Sequence, residues 1–367
     1  MEADWLLHAE NRATQKGIWV NHKERLLAAV QHRSVDRLPT DIWATPEVWQ
    51  KLRQFSGASE NIEIYDWLDI DGIIEITPPY IGPNLLQGED YRVDEWGMGY
   101  QSQSYGSGVY DEQVFFPLAQ AESIADLSAF PWPSPDWYDY STLPDLAAST
   151  PTRAIGCGYT AIFYWHNRLR GLERSLMDPL ERPEFTQYLI QRLSDFFTEY
   201  HLRCYQAALG RLDITQVTDD FGSQTGLLIS PRLFDRFYRQ PIQRAIDLAH
   251  TYGLIVFHHD DGDMRSLLPR LVEMGVQVLN PVQWRCGDWD LEALKTNYGA
   301  QLCFHGGIDN QYTLPFSAPQ EVRAEVRFLK NTLGRDGTGF IIAPCHNLQS
   351  ITPVENIIAM YEEAHHG

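Results

Sequence analysis

The residues best equipped for chemistry lie in one short segment, FHHDDGD, at positions 257–263. It combines histidines and aspartates within seven residues, a set that can bind a cation or move protons. Side chains alternate along an extended strand, so His259 and Asp261 are expected to point one way and His258 and Asp260 the other. The segment therefore predicts a pair of candidate metal ligands, His259 and Asp261.

A structural role is the alternative for parts of this segment. Asp260, Asp261 or Asp263 could cap a helix that begins near Met264, because an aspartate commonly accepts a hydrogen bond from the first turn of a helix. His258 could make a hydrogen bond behind the sheet.

Cys345, in the segment APCHN, is the third candidate metal ligand. A cysteine just after an apolar strand is often a small core residue. However, thiolate, imidazole and carboxylate together make a reasonable zinc site with one open position. His346 follows directly and is a candidate for binding the substrate.

Asp219 and Asp220 form a pair of carboxylates in VTDDFGSQTG. Two like charges in a dry pocket do not both ionise readily, so one of them can keep a proton and act as a general acid. The alternative is that one aspartate caps a turn while the other is solvated.

Other candidates come from the ends of predicted strands. Glu75 and His305 are predicted to be catalytic. The candidates for substrate binding, in addition to His346, are Trp43, Tyr80, Tyr159, Gln283 and Asp309. Gly306 and Gly307, next to His305, allow close approach of the backbone to a ligand.

Short apolar runs that alternate with longer helical patterns must position these residues. The predicted strands are Leu38–Trp43, Gly72–Ile76, Arg153–Tyr159, Leu212–Thr218, Leu254–His258, Val276–Asn280, Gln301–His305 and Gly339–Ala343. Eight strands that alternate with helices predict a single-domain α/β protein, a (β/α)₈ TIM barrel over residues 21–367. In such a barrel the site lies at the carboxyl ends of the strands, where these candidates fall.

Two segments fall outside this alternation. Residues 1–20 are predicted to be a polar lead-in, without the basic and apolar regions of a signal peptide. Residues 91–117, rich in glycine, serine and aromatic residues, predict a β-hairpin inserted after the second strand.

Charge and cysteine content exclude several classes of protein. The chain has 49 acidic and 29 basic residues among 367, a net charge of −20, which disfavours binding to nucleic acid or to an anionic membrane surface. No apolar run reaches the length of a membrane span. Five widely spaced cysteines are a poor disulfide framework and favour the cytoplasm. A small-molecule substrate is expected, and both a monomer and a homodimer stay open.

The chain resembles the uroporphyrinogen decarboxylase superfamily, most clearly over Asp219–Met360. The blocks TDDFGSQTGLLISPRLFDRF, VFHHDDGDMRSLLPRLVEMGVQVLNPVQW, FHGGIDNQYTLPF and GFIIAPCHNLQSITPVENIIAM follow one another in the family's order, and ERLLAAVQHRSVDRLP is similar to its opening. The resemblance implies a (β/α)₈ barrel.

Within this superfamily the resemblance implies two activities. The decarboxylases carry an early Arg-Gln-Ala-Gly-Arg-Tyr stretch that grips the porphyrinogen, and the corresponding TDIWATPEVWQKL has no arginine. The other branch comprises cobamide-dependent methyltransferases, whose metal motif is His-x-Cys with a distant Cys. This chain has His259-Asp260-Asp261 and then Cys345, so Asp261 stands where that motif has its middle Cys.

The leading hypothesis is a zinc-dependent methyltransferase that moves a methyl group from a small donor to a corrinoid protein or a thiol. An aromatic methoxy compound is one candidate for the donor. A metal-free decarboxylase acting on a carboxylate is the first alternative, and a non-catalytic ligand-binding barrel is the second. A carboxylate is a harder ligand than a thiolate and leaves a metal more Lewis acidic, which favours attack on a methyl–oxygen bond.

Overall fold

The structure is a computed structural model that describes residues 20–85, 91–104 and 108–366. The predicted lead-in therefore lies outside the described residues, apart from Val20. The described strands are β1 (Ile73–Glu75), β2 (Arg92–Val93), β3 (Gly99–Ser104), β4 (Val109–Phe115), β5 (Ala154–Thr160), β6 (Ile214–Val217), β7 (Gly222–Ser223), β8 (Gly226–Leu227), β9 (Ile255–His259), β10 (Val278–Asn280), β11 (Cys303–Ile308) and β12 (Phe340–Pro344).

Helices follow most of these strands, as the sequence pattern predicts. They are α1 (His22–Val30), α2 (Pro46–Ser56), α3 (Asn61–Trp67), α4 (Ile124–Ala129), α5 (Leu143–Ala148), α6 (Ile162–Arg170), α7 (Leu172–Glu181), α8 (Pro183–Ala207), α9 (Pro231–Leu233), α10 (Arg239–Thr251), α11 (Leu268–Met274), α12 (Leu291–Tyr298), α13 (Thr313–Phe316), α14 (Pro319–Thr332) and α15 (Val354–His365). A π-helical turn at Phe234–Tyr238 joins α9 to α10. Proline occupies the first turn of α2, α8, α9 and α14, where its missing N–H removes no helical hydrogen bond.

The central sheet has seven parallel strands in the order β1-β5-β6-β9-β10-β11-β12. Thr40 lies between the two edge strands: it forms a parallel bridge to Ile342, and its carbonyl accepts a hydrogen bond from the N–H of Gly72 at 2.9 Å. The architecture is thus mixed α/β with a curled, TIM-barrel-like parallel sheet.

The predicted first strand, Leu38–Trp43, is reduced to an isolated bridge at Thr40, and a second bridge lies just beyond it at Ala44. Pro39 within this stretch has no N–H to donate, and this interrupts the regular ladder of a strand. The described residues therefore form seven regular strands in this sheet, where the sequence predicted eight.

The interior of the curled sheet has an apolar layer beneath a polar one. The apolar layer includes Ile214, Phe257, Val278, Cys303 and Ile341 and is almost fully buried. Side chains alternate along strands, so the positions two residues further on also point inward. Those positions on β1, β6, β9, β10 and β11 are Glu75, Gln216, His259, Asn280 and His305.

Between β1 and β5, strands β2, β3 and β4 form a separate antiparallel sheet within residues 91–117. Hydrogen bonds attach it to the rest of the protein. The N–H of Val109 donates to Glu47 Oε1 at 3.3 Å, and the Gln113 side chain donates to the carbonyl of Arg168 at 2.6 Å.

Candidate active site

A buried chain of hydrogen bonds crosses the polar layer of the sheet. Asp41 Oδ2 lies 2.9 Å from His305 Nε2, His305 Nδ1 lies 2.6 Å from the Asn280 amide nitrogen, and Asn280 Oδ1 lies 2.6 Å from His259 Nδ1. Asp41, Asn280 and His305 are at most 1% exposed. These hydrogen bonds fix the orientation of the His259 ring.

The outer nitrogen of His259 points at carboxylates. Its Nε2 lies 3.8 Å from Asp261 Oδ1 and 3.8 Å from Asp220 Oδ1. On the other side of Asp261, its Oδ2 lies 3.5 Å from His346 Nε2. His259, Asp261 and His346 each offer a ligand atom, and these atoms lie within 4.8 Å of one another. These three residues are called the HDH group below.

The HDH group fits a metal ion in its donor atoms and their spacing. Zinc bonds of about 2.0–2.1 Å in a tetrahedral site separate neighbouring ligand atoms by about 3.3 Å. The nearest distances are 3.8 Å from His259 to Asp261 Oδ1 and 3.5 Å from His346 to Asp261 Oδ2, and one atom from each residue lies within 4.8 Å of the others. Asp261 Oδ1 is buried without a hydrogen-bond partner among the described residues, although it is a strong acceptor. The unsatisfied oxygen and the two imidazoles suit a cation.

Asp220 lies beside the HDH group because two loops pack unusually closely. A Cβ at Gly222 would stand 2.1 Å from the carbonyl oxygen of Asp261, and one at Gly262 would stand 2.4 Å from that of Ser223. Gly262 also has φ +84°, a conformation that favours glycine. The two glycines thus allow the β6–β7 loop to bring Asp220 against Asp261.

Burial favours the neutral forms of two side chains at this site, Asp220 and His346. Burial raises the pKa of Asp220 to about 6, opposed by nearby His259 and assisted by Asp260 and Asp261. Burial also lowers the pKa of His346, with Asp261 acting in the opposite direction and His259 in the same one. A neutral imidazole is the form that binds metal.

Trp43 forms one wall of this region. Its ring centroid lies 5.4 Å from that of His259, 6.0 Å from that of His305 and 6.2 Å from that of His346. Contacts of this kind restrict the motion of all three imidazoles.

A cavity of about 430 Å³ opens beside the HDH group. Its lining includes Asp261, His346 and Gln283, and the Gln283 side chain also accepts a hydrogen bond from the N–H of Gly262 at 2.6 Å. Phe316 and Ile351 add apolar surface at its edge and are more than half exposed. The cavity is large enough for a small organic substrate.

Glu75 lies in the same polar layer as His259. A Cβ at Gly156 would stand 2.2 Å from Glu75 Oε1, so the side chain lies directly over that glycine. Burial raises the pKa of Glu75 to about 7; a hydrogen bond from Gln216 at 3.1 Å acts against this shift and Asp41 adds to it. Water still reaches Glu75 and Tyr159, which are both exposed by more than a third. Glu75 is therefore placed to exchange a proton inside the sheet.

Several residues singled out from the sequence lie elsewhere. Cys345 is buried and directs its thiol to the carbonyl of Val282 at 3.5 Å, and it is not part of the HDH group. Burial raises the pKa of this thiol well above its usual range. The structure brings the adjacent residue, His346, to the position beside Asp261.

Asp219 turns away from Asp220 to cap a helix. Its carboxylate accepts hydrogen bonds from the N–H groups of Phe163 at 3.0 Å and Tyr164 at 2.7 Å, in the first turn of α6. The residue at the N-cap of α6, Ala161, has no side-chain acceptor of its own. Burial raises the pKa of Asp219, and the two N–H groups act against this shift.

Asp309 also caps a helix, at the start of α13. It accepts hydrogen bonds from the N–H groups of Gln311, Tyr312 and Thr313 and lies 3.2 Å from Arg285 Nε. Tyr80 donates its hydroxyl to the carbonyl of Pro83 at 2.8 Å, and its ring contacts Trp137 and Tyr138.

The alternation expected for residues 257–263 is present. His258 Nδ1 donates to the carbonyl of Val217 at 2.7 Å, behind the sheet, and Asp260 accepts from the N–H of Gly222 at 2.8 Å. Asp263 accepts from the N–H of Arg265 and pairs with its guanidinium, so it acts at the start of the following turn.

Two residues of the polar layer, Asn280 and Gln216, were not singled out from the sequence. Each lies two positions after an inward-facing apolar residue, Val278 and Ile214 respectively. This alternation was the available signal, because a polar side chain at an inward position near a strand end needs a buried partner.

Comparison with known proteins identifies the family. Residues 154–367, more than half of the chain, match the model of the family described as uroporphyrinogen decarboxylase (URO-D). The chain belongs to this family. No curated protein sequence matches it.

Solved structures give a matching fold. A methyltransferase from Methanosarcina mazei superposes with a TM-score of 0.62 at 16% identity, covering 94% of this chain and 98% of that one. A 3-keto-D-glucoside 4-epimerase from E. coli has a TM-score of 0.33 at 13% identity, covering 69% and 95%. The catalytic domain of a β-amylase from Paenibacillus polymyxa has a TM-score of 0.35 at 10% identity, covering 92% of each chain. The likeness to the first supports the TIM-barrel-like fold. Among the described residues no helix is long and apolar enough to cross a membrane.

Proposed function

We propose that the chain is a zinc-dependent methyltransferase that takes a methyl group from a small methylated donor. An aromatic methoxy compound is the donor class we favour, and a corrinoid carried on a partner protein, or a thiol, is the acceptor. The HDH group carries this proposal: two imidazoles and a carboxylate with a buried unsatisfied oxygen, next to a cavity of about 430 Å³. Membership of the URO-D family and the methyltransferase fold relative support it.

His259, Asp261 and His346 would hold the metal, in place of the His259, Asp261 and Cys345 set that the family motif suggests. Zinc held by nitrogen and oxygen ligands would supply Lewis acidity at an oxygen of the donor. The chain's own residues do the rest: Gln283 and His346 line the space for the donor, and Trp43 covers the imidazoles.

Asp220 is the residue we assign to proton transfer. Its carboxyl lies next to His259 rather than capping a helix, and its pKa of about 6 allows it to carry a proton part of the time near neutral pH. During transfer the methyl–oxygen bond breaks with its electron pair on oxygen, the methyl carbon bonds to the acceptor, and Asp220 protonates that oxygen. Asp219 has both oxygens engaged by α6 and does not take this part.

The test combines metal analysis with turnover. Protein purified without chelator should contain close to one zinc per chain and should demethylate methoxylated aromatics with a reduced cobalamin as acceptor. We expect Asp220→Asn to lower kcat by about 10²–10⁴-fold while zinc content stays unchanged, since a general acid contributes about that much. Only traces of zinc in the wild-type protein, or full activity in Asp220→Asn, would refute the proposal.

Glu75 favours a second candidate, a metal-free decarboxylase acting on a small carboxylate. Its carboxyl, with a pKa of about 7, can hold or release a proton within the sheet without any metal. Release of CO₂ from a carboxylate substrate that survives chelation and is lost in Glu75→Gln would support this function over methyl transfer.

A further inference from the structure

We infer that the chain of hydrogen bonds Asp41–His305–Asn280–His259 is a positioning relay that fixes the tautomer of His259, so that its Nε2 presents a lone pair to the space it shares with Asp261 and His346. The inference rests on the proposed metal site, and it assigns Asn280 and His305 a task that does not involve contact with substrate.

The hydrogen bonds of the relay all donate in one direction, which is called its polarity. Asp41, the first member, sets this direction. The Asp41 carboxylate only accepts hydrogen bonds, and Asp41 Oδ1 also accepts one from the N–H of Ile73 at 3.3 Å. His305 Nε2, 2.9 Å from Asp41 Oδ2, must therefore carry a proton. A neutral His305 then has its lone pair on Nδ1.

The Asn280 amide passes this polarity on. Its nitrogen donates to His305 Nδ1, and its oxygen therefore faces His259 Nδ1, each at 2.6 Å. An oxygen cannot donate, so His259 Nδ1 holds the proton and Nε2 carries the lone pair. That Nε2 is the atom 3.8 Å from both Asp220 and Asp261.

The opposite amide orientation has a high electrostatic cost. It would place the Asn280 oxygen against His305 Nδ1, which would then need the proton. His305 would then either turn a bare Nε2 lone pair toward the Asp41 carboxylate, or carry both protons as a buried cation that only Asp41 neutralises. Because Asn280 and His305 are completely buried, water cannot compensate for such a mismatch.

His258 provides a built-in comparison. Its Nδ1 donates to the carbonyl of Val217, which is independent of the relay. Its tautomer should therefore be the same in every relay variant, while that of His259 changes.

The decisive variants are His305→Leu and His305→Gln. Leucine makes neither of the hydrogen bonds that His305 makes, to Asp41 and to Asn280. The Asn280 amide can then turn over and present its NH₂ to His259 Nδ1, and His259 carries its proton on Nε2 instead. Glutamine can donate to Asp41 through its amide nitrogen and accept from Asn280 through its oxygen, so it preserves the polarity of the relay.

The experiment is long-range ¹H–¹⁵N NMR of metal-free, histidine-labelled protein, with His259→Gln used to assign the His259 signal. We expect Nδ1–H at His259 in the wild type and in His305→Gln, and Nε2–H in His305→Leu. His258 should remain Nδ1–H throughout. Zinc affinity should fall about 10–100-fold in His305→Leu and recover in His305→Gln, as for other residues that orient metal ligands.

If His305→Leu does not fold, Asn280→Asp replaces it. The new carboxylate accepts from both imidazoles, so His305 should become doubly protonated while His259 keeps Nδ1–H. An Nε2–H signal at His259 in the wild type, or the same tautomer in His305→Leu as in His305→Gln, overturns the inference. Because the NMR needs no metal, a wild type that binds no zinc but shows these tautomers refutes the proposed function and leaves the relay standing.

Discussion

Cys345 and His346 are adjacent in the chain but direct their side chains to different partners. The Cys345 thiol donates to the carbonyl of Val282, whereas His346 Nε2 lies 3.5 Å from Asp261 Oδ2. The strand β12 ends at Pro344, so the two residues lie in a loop where the alternation of a strand no longer applies. The metal ligand we propose is thus the histidine, one residue beyond the cysteine.

We predict opposite results from replacing these two residues. His346→Ala should lower zinc affinity by at least about 100-fold, since it removes a proposed ligand rather than a supporting residue. Cys345→Ser keeps a donor for Val282 and should leave zinc content unchanged, at a stability cost of about 1 kcal/mol. Metal analysis after dialysis against a weak chelator measures both. Loss of zinc in Cys345→Ser with retention in His346→Ala would return the site to the cysteine of the family motif.

Asp261 offers a similar test with a neighbour as its control. Asp261→Asn should reduce zinc content sharply, because the neutral amide is a weaker ligand than the carboxylate. Asp263→Asn breaks only the pair with Arg265 and should keep zinc at the wild-type level. Isothermal titration of the metal-free proteins with zinc compares the two. Equal affinities in the two variants would exclude Asp261 as a ligand.

Alternation along strands made part of this site predictable from the sequence. The opposite directions of His259 and His258 follow from it, as do the inward positions of Glu75 and His305. The alternation of apolar runs with helical patterns likewise predicted the seven strands of the central sheet. Strand ends were less well predicted, because the ladder stops where proline or a bulge interrupts pairing, as at Pro39.

The other features of the site depend on packing between loops and strands that are distant in the sequence. Local sequence patterns do not reveal such packing. Asp219 and Asp220 are equivalent in the sequence, yet only the first reaches the N–H groups of α6, a helix that begins more than fifty residues earlier. The pairing of Asn280 with His259 and His305 likewise depends on three neighbouring strands having the right register.

The division of labour between Asp219 and Asp220 gives a third prediction. Asparagine has one acceptor oxygen, so Asp219→Asn leaves one N–H of α6 facing an NH₂ group and should lower the free energy of unfolding by about 2 kcal/mol. Asp220→Asn should change it by less than about 0.5 kcal/mol while lowering kcat. Urea unfolding of both variants provides the measurement. The assignment fails if the two variants lose stability equally.

Glu75 predicts a specific dependence of stability on pH. In the unfolded chain a glutamate ionises near pH 4.5, whereas burial raises the pKa of Glu75 in the folded protein to about 7. Between these values the folded state holds a proton that the unfolded state has released, so this residue makes the protein less stable as pH rises from about 4.5 to about 7, with no further change above that.

The matched variants are Glu75→Gln, which cannot ionise, and Gln216→Leu, which removes the hydrogen bond that lowers the pKa of Glu75. From pH 5 to 8 the wild type should lose on the order of 1–2 kcal/mol of unfolding free energy relative to Glu75→Gln, a value reduced because water reaches the side chain. In Gln216→Leu the decline should extend to higher pH. Urea unfolding across this range measures all three proteins, and parallel curves for the wild type and Glu75→Gln would show that Glu75 titrates normally.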